Sequence, residues 1–471
     1  IKTKTSKYVD KSRYMMKKPN IVFVFGDQWR AQATGYAGNP TVKTPHLDRF
    51  ATESINLTQA VSGYPVCSPA RASLLTGQFP LTHGVFVNDV HLDNSTVSIA
   101  QAFKQGGYQT SYIGKWHVDG HGRSNYIPPE RRQGFEDWKV LECTHNYNQS
   151  AYYSGNSDQK LFWDGYDAID QTKAAEDYIR QHRNSDQPFL LMISWGGPHA
   201  PYQTAPEEYR ELYQPENIPL RPNVPAEAAK QAQEDIAGYY AHCTVLDDCM
   251  GSLLTTIEAE DIQDNTIVVF TSDHGDMLGS QGLIKKQKPW EESIRIPFLL
   301  RYPALFGLEG QQVPEAMIGM QDMMPTLLGL SRLPIPEGVE GIDFSNFLQG
   351  DENPSDSTAL LACYHPFGQW RSGIDGGPYG FTGREFRGIR TNSHTYVRSL
   401  QGPWLLYDNL NDPYQLDNLV DLPQHLSLRD DLDQKLQRKL DQRKDKFLSG
   451  MEYINTWGYT VDERGTVPYQ K

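Results

Sequence analysis

The chain has 471 residues, of which 38% are hydrophobic and 22% are charged, and its formal net charge is −14. This composition is typical of a globular protein with more than one structural unit, and it excludes a fibrous or disordered chain. The acidic balance argues against a nucleic-acid partner, and no apolar run approaches the ~20 residues that a membrane span needs.

Short apolar segments alternate with longer amphipathic ones from residue 20 onward. The predicted strands cover residues 21–25, 108–113, 189–194, 266–271 and 298–300, and the predicted helices cover 97–104, 172–182 and 236–259. Strands that are apolar throughout, separated by helices, predict an α/β fold with a large, mainly parallel sheet sandwiched by helices. In such sheets ligands bind at the carboxyl ends of the strands.

The pattern changes after Pro334 and Pro336. Residues 337–357 are rich in Gly, Asp and Pro, which predicts a boundary between a large domain at 20–350 and a smaller one at 351–471. The later segments predict short antiparallel strands at 359–364, 388–391, 394–397 and 404–407 and one long helix at 426–451. The C-terminal domain is therefore expected to be α+β.

Five cysteines, at positions 67, 143, 243, 249 and 363, are too few and too scattered for a disulfide framework. Their spacing does not suit a zinc site, and their odd number leaves at least one thiol free or modified. We expect Cys143 and Cys363 to be core thiols. Residues 1–19 are polar and rich in lysine, without the apolar segment of a signal peptide, and are interpreted as a polar leader or an expression remnant.

The sharpest motif lies at residues 67–77, which read C-S-P-A-R-A-S-L-L-T-G. Together with the G-K-W-H at residues 114–117, this C-x-P-x-R and its following T-G make the chain resemble the type I sulfatases of the alkaline-phosphatase-like superfamily over nearly its whole length. The resemblance implies an alkaline-phosphatase-like fold with the catalytic domain at 20–350. It also implies that a formylglycine-generating or sulfatase-maturing enzyme converts Cys67 to formylglycine.

An aldehyde at position 67 makes chemical sense, whereas a free cysteine is more often just a small buried hydrophobe. The aldehyde hydrate has two geminal hydroxyls: one attacks the sulfur of a sulfate ester, and the other later expels sulfate. A thiol cannot perform that second step, and covalent catalysis of this kind divides one difficult displacement into two easier ones.

The resemblance also implies roles for five cationic or basic residues. Arg71 would hold the hydrate and its loop, Lys115 would bind sulfate and hydrate oxygens, and His117 would assist removal of the hydroxyl proton. His199 would contact the ester oxygen, and Lys286 would protonate or stabilise the leaving group. Each lysine of the segment 285–288 could equally be a solvated surface charge.

A metal site is expected from two pairs of residues that follow predicted strands. Asp27 and Gln28 follow the first strand, and Asp273 and His274 follow a late one. Alone, such an Asp could equally be a helix cap or turn residue and such a His a turn residue, but with the nucleophile motif between the pairs a divalent cation is favoured. The family's common pattern is Asp-Asp and Asp-Asn, so Gln28 and His274 depart from it. We expect Ca²⁺, with Mn²⁺ as the alternative that a softer ligand set allows.

Substrate specificity is weakly encoded. Histidine, arginine and aromatic residues suit sugar stacking and recognition of acidic groups, although each could equally be packing or surface. The candidates are His91, His145, Trp163, His365 and Arg371, with His121, Arg123, Tyr147 and Trp370 beside them.

The resulting hypothesis is a sulfatase that hydrolyses sulfate monoesters of a sulfated poly- or oligosaccharide, located in the periplasm or secreted rather than cytoplasmic. The alternatives are a phosphodiester or phosphonate monoester hydrolase or a choline-sulfatase-like enzyme of the same superfamily. A non-catalytic binder of sulfated glycans with an unconverted Cys67 is the remaining alternative.

Overall fold

The computed structural model describes residues 17–368 and 383–468. Within these ranges a ten-stranded sheet lies at the centre of the molecule. Its strands are β1 (Asn20–Asp27), β2 (Ile55–Asn56), β3 (Gln109–Lys115), β4 (Asp137–Leu141), β5 (Ala151–Ser154), β6 (Leu161–Phe162), β7 (Phe189–Pro198), β8 (Thr266–Ser272), β9 (Phe298–Arg301) and β10 (Gln311–Gln312).

Parallel pairing brings the ends of the central strands together. The strand order is β10-β2-β9-β8-β1-β7-β3-β4-β5-β6. Strand β1 pairs in parallel with β7 and β8, and β3 pairs in parallel with β7 and β4. Toward the edges, β9 pairs antiparallel with β8 and β2, and β5 with β4 and β6. The predicted mainly parallel sheet is confirmed, and the carboxyl ends of β1, β3, β7 and β8 share one edge.

Helices cover both faces of this sheet. The described helices are Pro45–Ala51, Cys67–Thr76, Pro80–His83, Ile99–Gln105, Asp167–His182, Glu207–Arg210, Ala229–Ala259, Glu291–Ile294, Pro303–Phe306, Met320–Leu330, Leu426–Gln442 and Gly450–Thr456. In β1, Ile21, Phe23 and Phe25 join one apolar cluster, whereas Val22 and Val24 join another. Because alternate side chains of a strand point to opposite faces, β1 is buried on both sides. None of the described helices has the length and apolarity needed to cross a bilayer.

A smaller antiparallel sheet follows the large one. It has the order β11 (Thr358–Cys363), β12 (Phe386–Thr391), β13 (His394–Ser399), β14 (Gly402–Asp408). With the helix Leu426–Gln442 it confirms the predicted α+β architecture of the C-terminal part. Apolar contacts join it to the large unit, as where Tyr64 stacks on Tyr364 at a centroid distance of 5.7 Å. The exact domain boundary stays a prediction.

The single helix predicted over residues 426–451 is wrong, because the structure has two helices, Leu426–Gln442 and Gly450–Thr456. In the segment between them, Asp445 is paired with Arg387 of β12, with Nε and Oδ2 2.5 Å apart. A buried ion pair made with a distant strand thus overrides the local helical pattern, which is all that the sequence displays.

Candidate active site

Four strand ends of the large sheet supply most of the predicted site. Asp27 ends β1 and Lys115 ends β3, while Asp273 follows β8 directly and His199 follows β7. All four side chains are largely or fully buried. The parallel order of these strands therefore gathers the side chains around a fifth residue, Cys67.

Cys67 is the first residue of the helix Cys67–Thr76. The backbone N–H of Ser68 donates to Asn88 Oδ1 at 3.0 Å, which satisfies a donor that every helix start leaves open. The Cys67 Sγ lies 2.8 Å from Lys286 Nζ and 3.2 Å from His274 Nε2. Helix N-termini carry partial positive charge, so the surroundings of this sulfur are cationic.

The charges around Cys67 decide the state of its thiol. Burial and the Asp27 carboxylate oppose ionisation, but Lys115, Lys286 and His274 hold the pKa of Cys67 well below its ordinary value. The side chains around residue 67 therefore stabilise negative charge on the atom attached to its Cβ.

Arg71 lies one helical turn after Cys67 and is fully buried in a network of polar groups. Its Nε is 3.0 Å from Asp273 Oδ2 and its Nη2 is 3.1 Å from Asp27 Oδ2. Its Nη1 donates to the Lys115 carbonyl at 2.9 Å and to Ser194 Oγ at 2.7 Å. The guanidinium therefore ties the helix to β1, β3 and β7 and to the residue after β8, and it positions the cysteine.

A cluster of metal-ligating atoms lies beside the sulfur. One ligand atom from each of Asp27, Cys67, Asp273 and His274 falls within 4.8 Å of the others, and all four residues are buried. The His274 Nδ1 lies 2.9 Å from the Gly275 carbonyl oxygen, to which it must donate, so Nε2 is the ring nitrogen that could bind a cation. The cluster has the donor set of a divalent-cation site.

Gln28, next to Asp27 in the chain, has a fully buried side-chain amide. Its Nε2 donates to Asp276 Oδ2 at 2.5 Å, and its buried Oε1 has no hydrogen-bond partner among the described residues. A buried acceptor without a partner is costly unless a donor or a cation takes it. The unpartnered oxygen thus fits the predicted set of Asp27, Gln28, Asp273 and His274 around one cation.

Lys115 and His117 lie on the strand-end loop after β3. The Lys115 Nζ is 2.5 Å from Asp27 Oδ2 and 4.0 Å from the Cys67 sulfur. His117 has a left-handed backbone, with φ of 61°, and its Nε2 lies 3.4 Å from Asp89 Oδ1. Non-glycine residues held at positive φ are uncommon and concentrate where a site needs an exact side-chain direction.

His117 has acidic neighbours that sequence reasoning missed. Burial lowers the pKa of His117, but Cys143 and Asp89 raise it more, and the net result is about 10. Cys143 itself, expected to be an ordinary core thiol, has its pKa lowered to about 5 because Lys115 and His117 outweigh the effect of burial. Neither Asp89 nor Cys143 belongs to a motif or directly follows a predicted strand, so no sequence signal marks them.

His199 and His145 form a stacked pair. Their ring centroids are 4.7 Å apart and their planes differ by 7°. The His199 Nδ1 lies 2.7 Å from the Ala200 carbonyl oxygen and donates to it, which leaves Nε2 as the reactive nitrogen. Burial and the charge of Lys286 hold the pKa of His199 well below its ordinary value. This imidazole is therefore neutral at neutral pH.

One cavity of about 390 Å³ opens onto these groups. It is lined by Cys67, Asn88, Lys115, His117, Arg123, His145, His199, Lys285, Lys286, Gln287, Phe367, Gly368 and Arg464. No aspartate or glutamate occurs among these described lining residues. The cavity is thus a cationic depression in an acidic protein, with the size of an ordinary small-molecule site.

Only some of the weaker substrate-binding candidates line the cavity. His145 lines the cavity, but His91, Trp163 and His365 do not. Trp163 is instead stacked on Tyr152, with centroids 3.8 Å apart, and His91 Nδ1 lies 3.0 Å from the Asp119 carbonyl oxygen. His365 is buried beside the Gly465 carbonyl, 3.2 Å from its Nε2. Arg371 and Trp370 lie outside the described residues.

Comparison with known proteins gives a consistent result. Residues 19–333 match the model of the Sulfatase family, and residues 279–442 match the model of the N-sulphoglucosamine sulphohydrolase C-terminal region. An ulvan-active sulfatase of Formosa agariphila is 43% identical over 455 residues, which cover 96% of this chain and 87% of that protein. An endo-4-O-sulfatase of Bacteroides thetaiotaomicron is 29% identical over 470 residues, covering 85% and 88% of the two chains. A structure from work on the metabolism of multiple glycosaminoglycans by the same Bacteroides species is 28% identical, with a TM-score of 0.82 and coverage of 96% and 100%.

Proposed function

Because the chain belongs to the sulfatase family, whose model matches residues 19–333, we propose that this sulfatase removes sulfate from a sulfated carbohydrate through a nucleophile made from Cys67. The observation that carries the proposal is the position of Cys67, at a helix N-terminus with Lys286 Nζ 2.8 Å and Lys115 Nζ 4.0 Å from its sulfur. A sulfate ester seated there would meet two lysines at the atom that attacks it.

A carbohydrate substrate is supported by relatives and by the cavity. The Formosa relative is named for activity on ulvan, and it aligns with 96% of this chain. The cavity volume of about 390 Å³ accommodates more than a sulfate group, and Phe367 in its wall offers an apolar face to a sugar ring. A substrate too large to cross a membrane would place the enzyme in the periplasm or outside the cell.

Two groups beyond the side chains complete the proposed site. Formylglycine, made from Cys67 by a formylglycine-generating or sulfatase-maturing enzyme, supplies as its hydrate an oxygen nucleophile and a second hydroxyl for the release of sulfate. Asp27, Gln28, Asp273 and His274 would hold the cation, Ca²⁺ with Mn²⁺ as the alternative, which neutralises sulfate oxygens and lowers the pKa of a hydroxyl. Since Cys67 is only 1% exposed, the maturing enzyme would act before the chain is fully folded.

The protein's own residues then bind the ester and move protons. Lys115 and Lys286 would bind sulfate oxygens, and Arg71 would keep the helix and the strand ends fixed. In the converted enzyme, where the Cys67 thiol no longer raises the pKa of His117, this imidazole, held by Asp89, would take the proton of the hydroxyl that expels sulfate. His199 Nε2 would contact the bridging ester oxygen, where Lys286 supplies positive charge and a proton to the leaving alcohol.

We predict that Cys67→Ala abolishes sulfate release while the thermal unfolding midpoint stays close to that of the parent. The substitution removes the only nucleophile of the proposed reaction. The assay measures free sulfate from a panel of sulfated oligosaccharides, beside aryl phosphodiesters, with protein whose residue-67 peptide mass confirms conversion. Cys249→Ala, a buried cysteine that does not line the cavity, is the matched control and should keep full activity.

Turnover by Cys67→Ala at the parent rate would eliminate the mechanism. Phosphodiester cleavage without sulfate release would move the enzyme to the phosphonate monoester hydrolases. An unconverted Cys67, with binding of sulfated glycans and no turnover, would identify a binding protein instead.

A further inference from the structure

The cavity contains more positive charge than one sulfate ester requires. The proposed reaction assigns Lys115 and Lys286 to the sulfate, and Arg123 is paired with Asp89 by contacts of 2.9 and 2.8 Å. Lys285 and Arg464 also line the cavity, and neither forms an ion pair within the described parts of the chain. These two cations are therefore left without a function.

Both cations belong to backbone segments that hydrogen bonds hold in place. The Lys285 N–H donates to Asp276 Oδ1 at 2.9 Å, and its carbonyl accepts from the Met277 N–H at 2.9 Å. Lys285 has a left-handed φ of 59°. A conformation of this kind costs about 1 kcal/mol or more and persists only where its surroundings enforce it.

Arg464 is held by a second segment that lines the cavity. Its carbonyl accepts from the Gly368 N–H at 2.8 Å, and its own N–H donates to Asp462 Oδ1 at 2.9 Å. The C-terminal segment is thus tied to Phe367 and Gly368, which line the same cavity. Phe367 in turn donates its N–H to Gln287 Oε1 at 3.3 Å, which connects this wall to the lysine segment.

We propose that Lys285 and Arg464 bind a second anionic group of the substrate, so that the preferred substrate is a sugar bearing the scissile sulfate together with a neighbouring carboxylate or second sulfate. This inference rests on the proposed sulfatase function and specifies its substrate class. A guanidinium binds a planar carboxylate or a sulfate through two parallel hydrogen bonds, and a lysine adds a point charge. Because no acidic side chain among the described lining residues competes, the second anion meets only cations and neutral groups.

The test compares substrates that differ by one charge. The converted enzyme is assayed with three substrates. They are a sulfated oligosaccharide that contains a uronate, its carboxyl-reduced derivative, and an oligosaccharide of uncharged sugars that carries two sulfates. For the parent we expect KM on the carboxyl-reduced compound to be about tenfold higher than on the uronate, with kcat unchanged, because the lost contact is a charge-assisted one. A low KM on the uronate alone identifies the carboxylate as the ligand, and a low KM on the disulfated compound alone identifies the second sulfate.

The variants Lys285→Gln and Arg464→Gln test the residues. Each substitution should raise KM about tenfold on the doubly charged substrate and leave KM on the carboxyl-reduced substrate unchanged. Lys43→Gln, an exposed lysine that does not line the cavity, is the control and should change neither value.

Equal KM values on singly and doubly charged substrates, or equal losses of the variants on both, would overturn the second-anion site while leaving the sulfatase function intact. Absence of sulfate release from all three substrates by the converted parent would overturn the proposed function itself. The two failures are thus distinguishable.

Discussion

The side-chain amide of Gln28 is held in one orientation by its neighbours. The Asp276 Oδ2 accepts from Gln28 Nε2 and from the Tyr202 hydroxyl, both at 2.5 Å. A carboxylate only accepts, so it can hold only the NH₂ end of the amide, and Oε1 must point the other way. Asp276 thus determines that Oε1, the atom that would bind the proposed cation, is the end of the amide turned away from this carboxylate.

We therefore predict that Asp276→Asn weakens Ca²⁺ binding about 10- to 100-fold, the usual effect of losing a group that orients a ligand. An asparagine amide can donate to Gln28 Oε1 and turn its amide around. The measurement is calorimetric titration of chelator-treated protein, supported by the rise in unfolding temperature on adding Ca²⁺. Asp235→Asn, which removes a carboxylate that does not contact Gln28, should bind like the parent. Equal affinity of Asp276→Asn and the parent would show that the orientation of Gln28 is irrelevant to the metal.

At the residue scale, the sequence predicts those site residues that belong to short motifs. Cys67 and Arg71 lie one helical turn apart, and the structure indeed brings both to the aspartates of the strand ends. Asp89 and Arg464 could not be found in this way. Asp89 reaches His117, and Arg464 reaches the cavity, through loops whose course depends on tertiary packing, and neither lies at a fixed distance from a motif.

At the scale of secondary-structure elements, the central strands are predictable because their burial on both faces leaves an apolar run in the sequence. Strands β2 and β10 have two residues each and leave no pattern. The division of the predicted helix at 426–451 depends on Arg387, a partner far away in the chain. Elements defined by their own composition are therefore recovered, and those defined by distant partners are not.

Strand β3 brings Lys115 to the site through a glycine that allows two backbones to approach closely. Gly114 has φ of 106°, and a Cβ there would lie 2.1 Å from the Ser194 carbonyl oxygen of β7. We predict that Gly114→Ala lowers the free energy of unfolding by about 3 kcal/mol, through backbone strain and overpacking, and displaces Lys115 enough to remove most activity.

The matched control for Gly114→Ala is Gly107→Ala. Gly107 also has a left-handed φ, of 86°, but a Cβ there meets nothing within 4 Å. This substitution should cost only about 1 kcal/mol, the strain of the left-handed backbone alone, and leave activity unchanged. Urea unfolding and sulfate release measure both effects. Similar losses in the two variants would refute the close approach of β3 and β7 as the cause.

At the scale of the whole molecule, a buried ion pair joins a short helix beside the large sheet to the antiparallel sheet. Glu291 begins a short helix beside the site, and its carboxylate accepts two hydrogen bonds from Arg390 of β12, at 2.6 and 3.0 Å. Arg295 Nη1 adds a third contact, of 3.1 Å. Burial of Val61 and Met277 with Leu361 in one apolar cluster joins the same two sheets. The two units are thus coupled by both charge and packing, which no local sequence pattern reveals.

This pair makes the stability of the molecule depend on pH in the acidic range. Burial raises the pKa of Glu291, but Arg390 and Arg295 lower it more, from its ordinary 4.5 to about 2. Because the unfolded chain binds this proton more readily than the folded one, the contribution is complete above pH 4.5 and is lost as the pH falls toward 2.

Glu291→Gln should therefore be less stable than the parent at pH 6, since it leaves the two buried arginines without their carboxylate. Between about pH 6 and 3.5 this difference in the free energy of unfolding should shrink by about 1.4 kcal/mol, because the unfolded parent takes up a proton at Glu291 that the folded parent does not, and the variant has no such group. Denaturant unfolding at each pH measures the difference. Glu227→Gln, at an exposed glutamate without an ion pair among the described residues, should show no such trend. A difference that stayed constant across this range would mean that folding does not lower the pKa of Glu291.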